Sequence, residues 1–203
     1  NTFSINHEQC ILKLILEING GLVVHKIDLF PHKINIRRFV LMQIVLIMFV
    51  ILFTYKWAYT VTHIIEQNIV MNLVYGFAGF LVLLIIHELI HRVLFILFSK
   101  GEKPKMKYKK GTMLLQFTET CFNRWQFSTI MLAPLVLISS LLLVLIKTYA
   151  YSSLIFMFSI HIGYCVLDVL LVSLALASNF KYIQKYDEGL YLYQNKPTQA
   201  NHE

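Results

Sequence analysis

The chain has 203 residues, of which 57% are hydrophobic and only 14% charged, with a formal net charge of +7. A soluble domain normally has about a quarter charged residues, and the mean hydropathy of +0.63 points away from that class. The positive charges flank apolar segments and accompany no DNA- or RNA-reading motif. We therefore expect a membrane protein that contacts anionic lipid and has no nucleic-acid partner.

Residues 1–38 precede the first long apolar segment and are polar with short apolar pieces, so no cleavable signal peptide is expected there. The stretch GLVVHKIDLF is compatible with a short strand. The stretch CILKLILEI is compatible with a strand or with a short interfacial helix. We predict only that residues 1–38 form a separate cytoplasmic segment.

Four later segments are long and apolar enough for transmembrane helices, which need about 20 residues. They run approximately over residues 39–55, 69–98, 128–146 and 153–177. The sequence thus predicts an all-α membrane protein with four transmembrane helices in a domain of residues 39–180. Residues 181–203 are predicted to form a cytoplasmic tail.

The basic residues indicate the orientation of these spans. Only Lys56 and Lys147 lie in the connections after the first and third spans. The opposite side carries Lys13, Lys26, Lys33, Arg37, Arg38, Lys100, Lys103, Lys105, Lys107, Lys109, Lys110, Arg124, Lys181, Lys185 and Lys196. By the positive-inside bias, both termini and the loop between spans two and three are predicted to be cytoplasmic.

That loop contains KPKMKYKKGTMLLQF, in which lysines alternate with other residues up to a Lys-Gly break. The alternation is closer to the period of a strand than to that of a helix. It predicts a small β-hairpin at the membrane surface, with a solvated basic loop as the alternative.

The second span contains HELIH, residues 87–91. On a helix, His87 and His91 lie on one face, one turn apart, so that their ring nitrogens can bind one metal ion. Imidazole suits zinc, which activates a water ligand. Glu88, beside the first histidine, could then act as the acid and base of peptide hydrolysis.

A chance HExxH string is the alternative, and the membrane setting argues against it. Each ionisable group at the centre of a span costs about 2.5–3.5 kcal/mol even on a lenient insertion scale. Two histidines and a glutamate on adjacent turns would therefore be costly without a role, and a metal site is the favoured interpretation.

A catalytic zinc normally has three protein ligands. Asp168 is the only carboxylate of the fourth span, and by residue count it lies within about 6 Å of the depth of the two histidines. It is the preferred third ligand. The other candidates are His161, Glu119, Asp187 and Glu188. For His161, a hydrogen-bonded core histidine is the favoured interpretation, with a supporting or proton-path role as the alternative.

The three cysteines are widely spaced and form no CxxC pair. Neither a zinc knuckle nor a disulfide framework is indicated. We expect Cys10, Cys121 and Cys165 to be reduced and outside any disulfide.

The motifs of this chain follow a recognisable order. HELIH lies in one span, and Arg124-Trp125-Gln126-Phe127 leads into the next span, which contains Ala133-Pro134. A lone intramembrane Asp168 follows, and then a tail with Asp187-Glu188-Gly189. This order resembles a family of small bacterial membrane proteins known as zincin peptidases, and more distantly the site-2 protease type of intramembrane metalloprotease. The resemblance covers about residues 69–195. Unlike site-2 proteases, this chain has no Asn-Pro before the aspartate, and Val169 follows it.

The resemblance implies a zinc endopeptidase in the bacterial plasma membrane, with His87, His91 and Asp168 as zinc ligands and Glu88 as the catalytic acid and base. The substrate would be a membrane-bound or membrane-associated peptide, and the site would face the cytoplasmic side. The alternatives are a non-enzymatic protein that binds or transports a divalent metal and a degenerate zincin that only binds a partner. Sequence leaves the substrate and the oligomeric state open.

Overall fold

The computed structural model describes residues 15–19, 22–28, 36–62, 64, 68–99, 105–109, 112–117, 120–177, 180–185 and 189–195. At residues 15–19, 22–28, 36, 105–109, 112–117 and 189 the description is confined to the backbone. The helices are α1 (Ile36–Val61), α2 (Ile69–Phe98), α3 (Arg124–Tyr149), α4 (Ser152–Tyr164) and α5 (Val166–Ala177). The strands are β1 (Ile15–Asn19), β2 (Leu22–Asp28), β3 (Lys105–Lys109), β4 (Thr112–Phe117), β5 (Phe122–Asn123), β6 (Tyr182–Lys185) and β7 (Gly189–Tyr193).

Among the described residues, four helical stretches are long and apolar enough to cross a membrane, and the fourth consists of α4 and α5 together. Their outward sides carry large apolar residues, including Leu52 and Ile85, which are 68% and 70% exposed. Such continuous apolar surface is unfavourable in water and suits lipid. The predicted four-helix membrane architecture is confirmed, with spans close to those expected.

Local sequence explains where two of the spans begin and end. The side chain of Asn68 accepts a hydrogen bond of 3.0 Å from the backbone of Val70, which caps α2 at its first turn. Ala150 adopts a left-handed conformation with φ 53° directly after α3. This conformation ends a helix, so the third and fourth spans are joined by only two residues.

Close helix packing holds α4 against α2 and α1. A Cβ atom added at Gly76 of α2 would lie 2.7 Å from the Cβ of Phe156 in α4, which is too short for real atoms. Small residues of this kind let membrane helices approach closely. Gln43 of α1 donates a hydrogen bond of 3.1 Å to the carbonyl of Gly163. The fourth span is therefore an inner helix of the bundle.

Outside the spans, β3 and β4 form an antiparallel hairpin between α2 and α3. This confirms the hairpin predicted from the alternating lysines. The strand positions follow the two arms on either side of the Lys-Gly break.

The sequence did not predict a five-stranded antiparallel sheet with the order β1-β2-β7-β6-β5. It joins β1 and β2 to β6 and β7, and to the two residues of β5 that lead into α3. The strands β1 and β2 and the tail strands β6 and β7 therefore lie on the same side of the bundle. The sheet draws strands from all three predicted segments, and the boundaries of those segments stay a prediction, as does the side of the membrane they face.

The sheet packs onto the ends of α2, α3 and α5. One apolar cluster unites the three helices with the sheet, and its members include Phe95, Phe127, Leu171, Ile183 and Leu192. This packing fixes β6 beside the helices that carry the candidate site.

Candidate metal centre

The buried face of α2 forms a stripe with helical spacing, consisting of Asn72, Gly76, Phe80, Leu83, His87, His91 and Phe95. His87 and His91 continue the same stripe that packs α2 against the other helices. They are 1% and 5% exposed. The spacing of HELIH and the burial of the helix therefore aim both imidazoles into the bundle.

Asp168 of α5 meets these two rings. Its Oδ2 atom lies 3.2 Å from Nε2 of His87 and 3.6 Å from Nε2 of His91. The two Nε2 atoms lie 3.0 Å apart. These three atoms form one of the buried groups that could hold a metal ion.

The spacing of these three atoms fits a tetrahedral zinc ion. Zinc–nitrogen and zinc–oxygen bonds of about 2.0–2.2 Å place neighbouring ligand atoms of a tetrahedron about 3.3 Å apart. The three observed separations, 3.0, 3.2 and 3.6 Å, bracket that value. Two imidazoles and one carboxylate are also a donor set that zinc accepts. The residues thus fit the group that HELIH suggested.

The other candidates for a third ligand have different outcomes. His161 lies on the opposite side of the His87 ring, with its Nε2 atom 3.3 Å from Nδ1 of His87. Glu119, Asp187 and Glu188 lie outside the described residues. Among the described residues, Asp168 is the carboxylate that the structure brings to both histidines.

The ring of His91 is fixed by the backbone of α3. Its Nδ1 atom lies 2.9 Å from the carbonyl oxygen of Ile130, so the Nδ1–H donates there and Nε2 faces Asp168. This carbonyl lies four residues before Pro134. Proline has no N–H to occupy it. Pro134 thus leaves the carbonyl oxygen of Ile130 available to accept the hydrogen bond that orients His91. Sequence did not suggest this role, because it depends on how α2 faces α3.

Glu88 has a hydrogen-bond donor that sequence reasoning missed. The hydroxyl of Tyr164 donates to Oε1 of Glu88 over 2.8 Å. The ring of Tyr164 also packs edge-on against that of His87, with their centroids 5.0 Å apart. Tyr164 and Asp168 are four residues apart in the fourth span, a spacing typical of one helix face. This spacing is the signal that could have found Tyr164.

The second imidazole, His87, has a polar neighbourhood on its Nδ1 side. The nearest atoms there are Nε2 of His161 and Sγ of Cys165, at 3.3 and 3.9 Å. His161 in turn has Oγ of Ser139 within 3.5 Å of its Nδ1. Cys121 and Cys165 are in no disulfide, and Cys10 lies outside the described residues.

A lysine from the sheet approaches the site from outside the spans. Lys185, the last residue of β6, is 6% exposed, and its Nζ lies 3.9 Å from Sδ of Met131. Burial lowers the pKa of this ammonium group, because it disfavours the charged form, while the carboxylates of Asp168 and Glu88 act in the opposite direction. Sequence placed this residue in a tail without a role.

The chain was also compared with known proteins. The model of a family described as "Putative zincin peptidase" matches residues 80–183, a region that includes HELIH, Pro134, Tyr164 and Asp168. No match is found among curated proteins or among solved structures.

Proposed function

This chain belongs to the zincin peptidase family whose model it matches, and from that premise we propose that it is a zinc-dependent endopeptidase acting within the membrane. Its substrates would be peptides that are membrane-bound or membrane-associated. The observation that carries the proposal is the convergence of His87, His91 and Asp168 beside Glu88, inside helices apolar enough to cross a membrane.

We assign zinc binding to Nε2 of His87, Nε2 of His91 and Oδ2 of Asp168. These three residues would hold the ion and would leave room for a water or substrate ligand, as catalytic zinc sites require. When bound, zinc would polarise the scissile carbonyl group and lower the pKa of a water ligand to about 7. The hydrogen bond from His91 to the carbonyl of Ile130 keeps that ring in the tautomer needed for binding.

Glu88 would take the proton from the attacking water and return it to the leaving amine. The hydrogen bond from Tyr164 supports this role because it fixes the position of Oε1. Lys185 supports it in another way. In its protonated form, this buried side chain would offset part of the negative charge of Asp168 and Glu88 in an apolar setting.

The position of the ligands in the second and fourth spans supports cleavage within the thickness of the membrane. Peptide bonds in a helix are shielded by their own hydrogen bonds, so a substrate has to be extended before it is cut. Strand addition to a sheet edge is a general way to hold an extended peptide. The hairpin of β3 and β4 directly follows the helix that carries HELIH, and we propose it as that edge.

The test uses the full chain, purified in detergent, loaded with zinc and incubated with a diverse mixture of synthetic peptides. Glu88→Gln is expected to lower the cleavage rate by about 10²–10⁴-fold, the usual contribution of a general acid and base. Zinc content, measured by mass spectrometry, should be unchanged because Glu88 is not a ligand. Leu89→Ala, at the neighbouring lipid-facing residue, is the matched control.

Undiminished cleavage by the Glu88→Gln variant would contradict the assignment. A wild-type protein that binds zinc but cleaves no peptide in the mixture would instead favour a metal-binding or transport protein. The two measurements therefore separate the catalytic role of Glu88 from the presence of the metal.

A further inference from the structure

A second cluster of metal-ligating atoms lies on the far side of the His87 ring. It consists of Nδ1 of His87, Nε2 of His161 and Sγ of Cys165. The side chains are at most 1% exposed. The cluster shares a residue with the proposed zinc ligands but uses the other ring nitrogen, since Nε2 of His87 faces Asp168.

The separations within this cluster fit a tetrahedral ion with one sulfur ligand. Nδ1 of His87 lies 3.3 Å from Nε2 of His161, and Sγ of Cys165 lies 3.5 and 3.9 Å from these two atoms. Zinc–nitrogen bonds of about 2.0–2.1 Å and a zinc–sulfur bond of about 2.3 Å give nitrogen–nitrogen and nitrogen–sulfur edges of about 3.3 and 3.5 Å. Two separations match these edges, and the third is longer by a few tenths of an ångström.

The chain repeats one local device to build the two clusters. His87 and His91 are four residues apart on α2, and His161 and Cys165 are four residues apart at the end of α4. Each pair therefore projects from one helix face. The side chain of Ser139 lies near Nδ1 of His161, which leaves Nε2 as the nitrogen that faces the cluster.

We propose that His87, His161 and Cys165 form a second metal site, for a thiophilic divalent ion such as zinc. A coordinating thiol loses its proton, and a His87 ring that binds metal through both nitrogens loses its remaining N–H proton; binding of the ion releases both protons to solvent. The two negative charges that result would balance the charge of the second ion, which matters because uncompensated charge is costly within a membrane span. This site does not depend on peptide hydrolysis.

The same contacts could instead be hydrogen bonds that only orient His87, and metal binding separates these cases. Cobalt replaces zinc in such sites, and a thiolate ligand gives it a sulfur-to-cobalt charge-transfer band in the near ultraviolet. The full chain with Cys10→Ser and Cys121→Ser keeps Cys165 as its one thiol and serves as the reference. Its metal-free form is titrated with cobalt in detergent, and circular dichroism checks that each variant is folded.

We expect the reference protein to bind two cobalt ions and to show the band. Adding Cys165→Ser should leave one ion and remove the band. Adding Asp168→Ala should also leave one ion but keep the band, because it removes only a ligand of the other site. His161→Gln provides a second variant of the new site and should behave like Cys165→Ser.

One ion without the band in the reference protein would overturn the proposal and leave the cluster as hydrogen-bonded support for His87. One ion with the band would support the new site and contradict zinc binding by the His87, His91 and Asp168 set. The failure of one site is thereby distinguished from the failure of the other.

Discussion

The first and fourth spans have nearly the same mean hydropathy, yet only 6% of the first is buried in the bundle, against 50% of the fourth. The difference lies in their polar residues. The first span uses Gln43 for one hydrogen bond to the fourth, whereas the fourth carries His161, Tyr164, Cys165 and Asp168 within a few turns. A polar face, rather than average hydropathy, distinguishes the helix that builds the site from the helix that faces lipid.

The largest effect is expected at the polar face of the fourth span. Asp168→Asn keeps the size of the side chain but removes its charge. Loss of a residue that only supports a metal ligand weakens binding about 10–100-fold, and we expect a larger loss here because Asp168 is itself a proposed ligand. Zinc competition with a coloured chelator measures the affinity, in a Cys165→Ser background that lacks the second proposed site. Ser173→Ala, on the exposed side of the same helix, is the control, and equal affinities for the two variants would contradict the assignment of Asp168.

A smaller effect is expected from Tyr164→Phe, which removes only the hydroxyl that donates to Glu88. A hydrogen bond to a charged group contributes about 1.5–3 kcal/mol, so kcat should fall about tenfold to a hundredfold. Zinc affinity should not change, since Tyr164 is no ligand. Steady-state kinetics and zinc competition on the same preparation give both values, and a loss of zinc with unchanged kcat would show that Tyr164 supports His87 instead.

Pro134→Ala tests whether the third span belongs with the fourth in supporting the site. The N–H of an alanine would compete for the carbonyl of Ile130, which has two lone pairs and can still accept from His91. Zinc affinity should therefore fall by about tenfold, at the lower end of the effect of such partners. Pro134→Gly, which also restores an N–H, should show a similar loss. An unchanged affinity in both variants would remove Pro134 from the site.

The smallest effect is expected in the first span. Gln43→Leu removes the hydrogen bond to Gly163, and such bonds between membrane helices contribute about 0.6 kcal/mol. Unfolding in mixed micelles should show a loss of that size, with zinc content and peptide cleavage unchanged. If Gln43→Leu impaired zinc binding as strongly as Asp168→Asn, the distinction between the two spans would fail.

Sequence predicted the parts of this molecule that depend on local pattern. Apolar length placed the four spans, the alternating lysines placed the hairpin, and helical spacing with residue depth paired His87 and His91 with Asp168. The contacts of Tyr164, Cys165 and the Ile130 carbonyl were not predicted, because they depend on how each helix is rotated about its axis. The packing of side chains from several helices sets that rotation, and no single segment encodes it.

The five-stranded sheet escaped prediction for a different reason. Val24 pairs with Tyr193, so the register joins segments almost as far apart as the described chain allows. Short strands of residues 15–28 carry little signal for a partner that distant. Lys185 looked like an ordinary tail residue because its burial depends on β6 docking against the helix ends, which the local sequence does not indicate.

This strand pairing has a consequence for the order of events during synthesis. Ribosomes make proteins from the N-terminus, so β2 cannot pair with β7 until all four spans have been synthesised. Contacts between such distant segments form late, because the chain must first close a large loop. Lys185, in β6, is likewise synthesised only after HELIH and Asp168. A nascent chain that already contains HELIH and Asp168 still lacks the sheet that covers that end of its site.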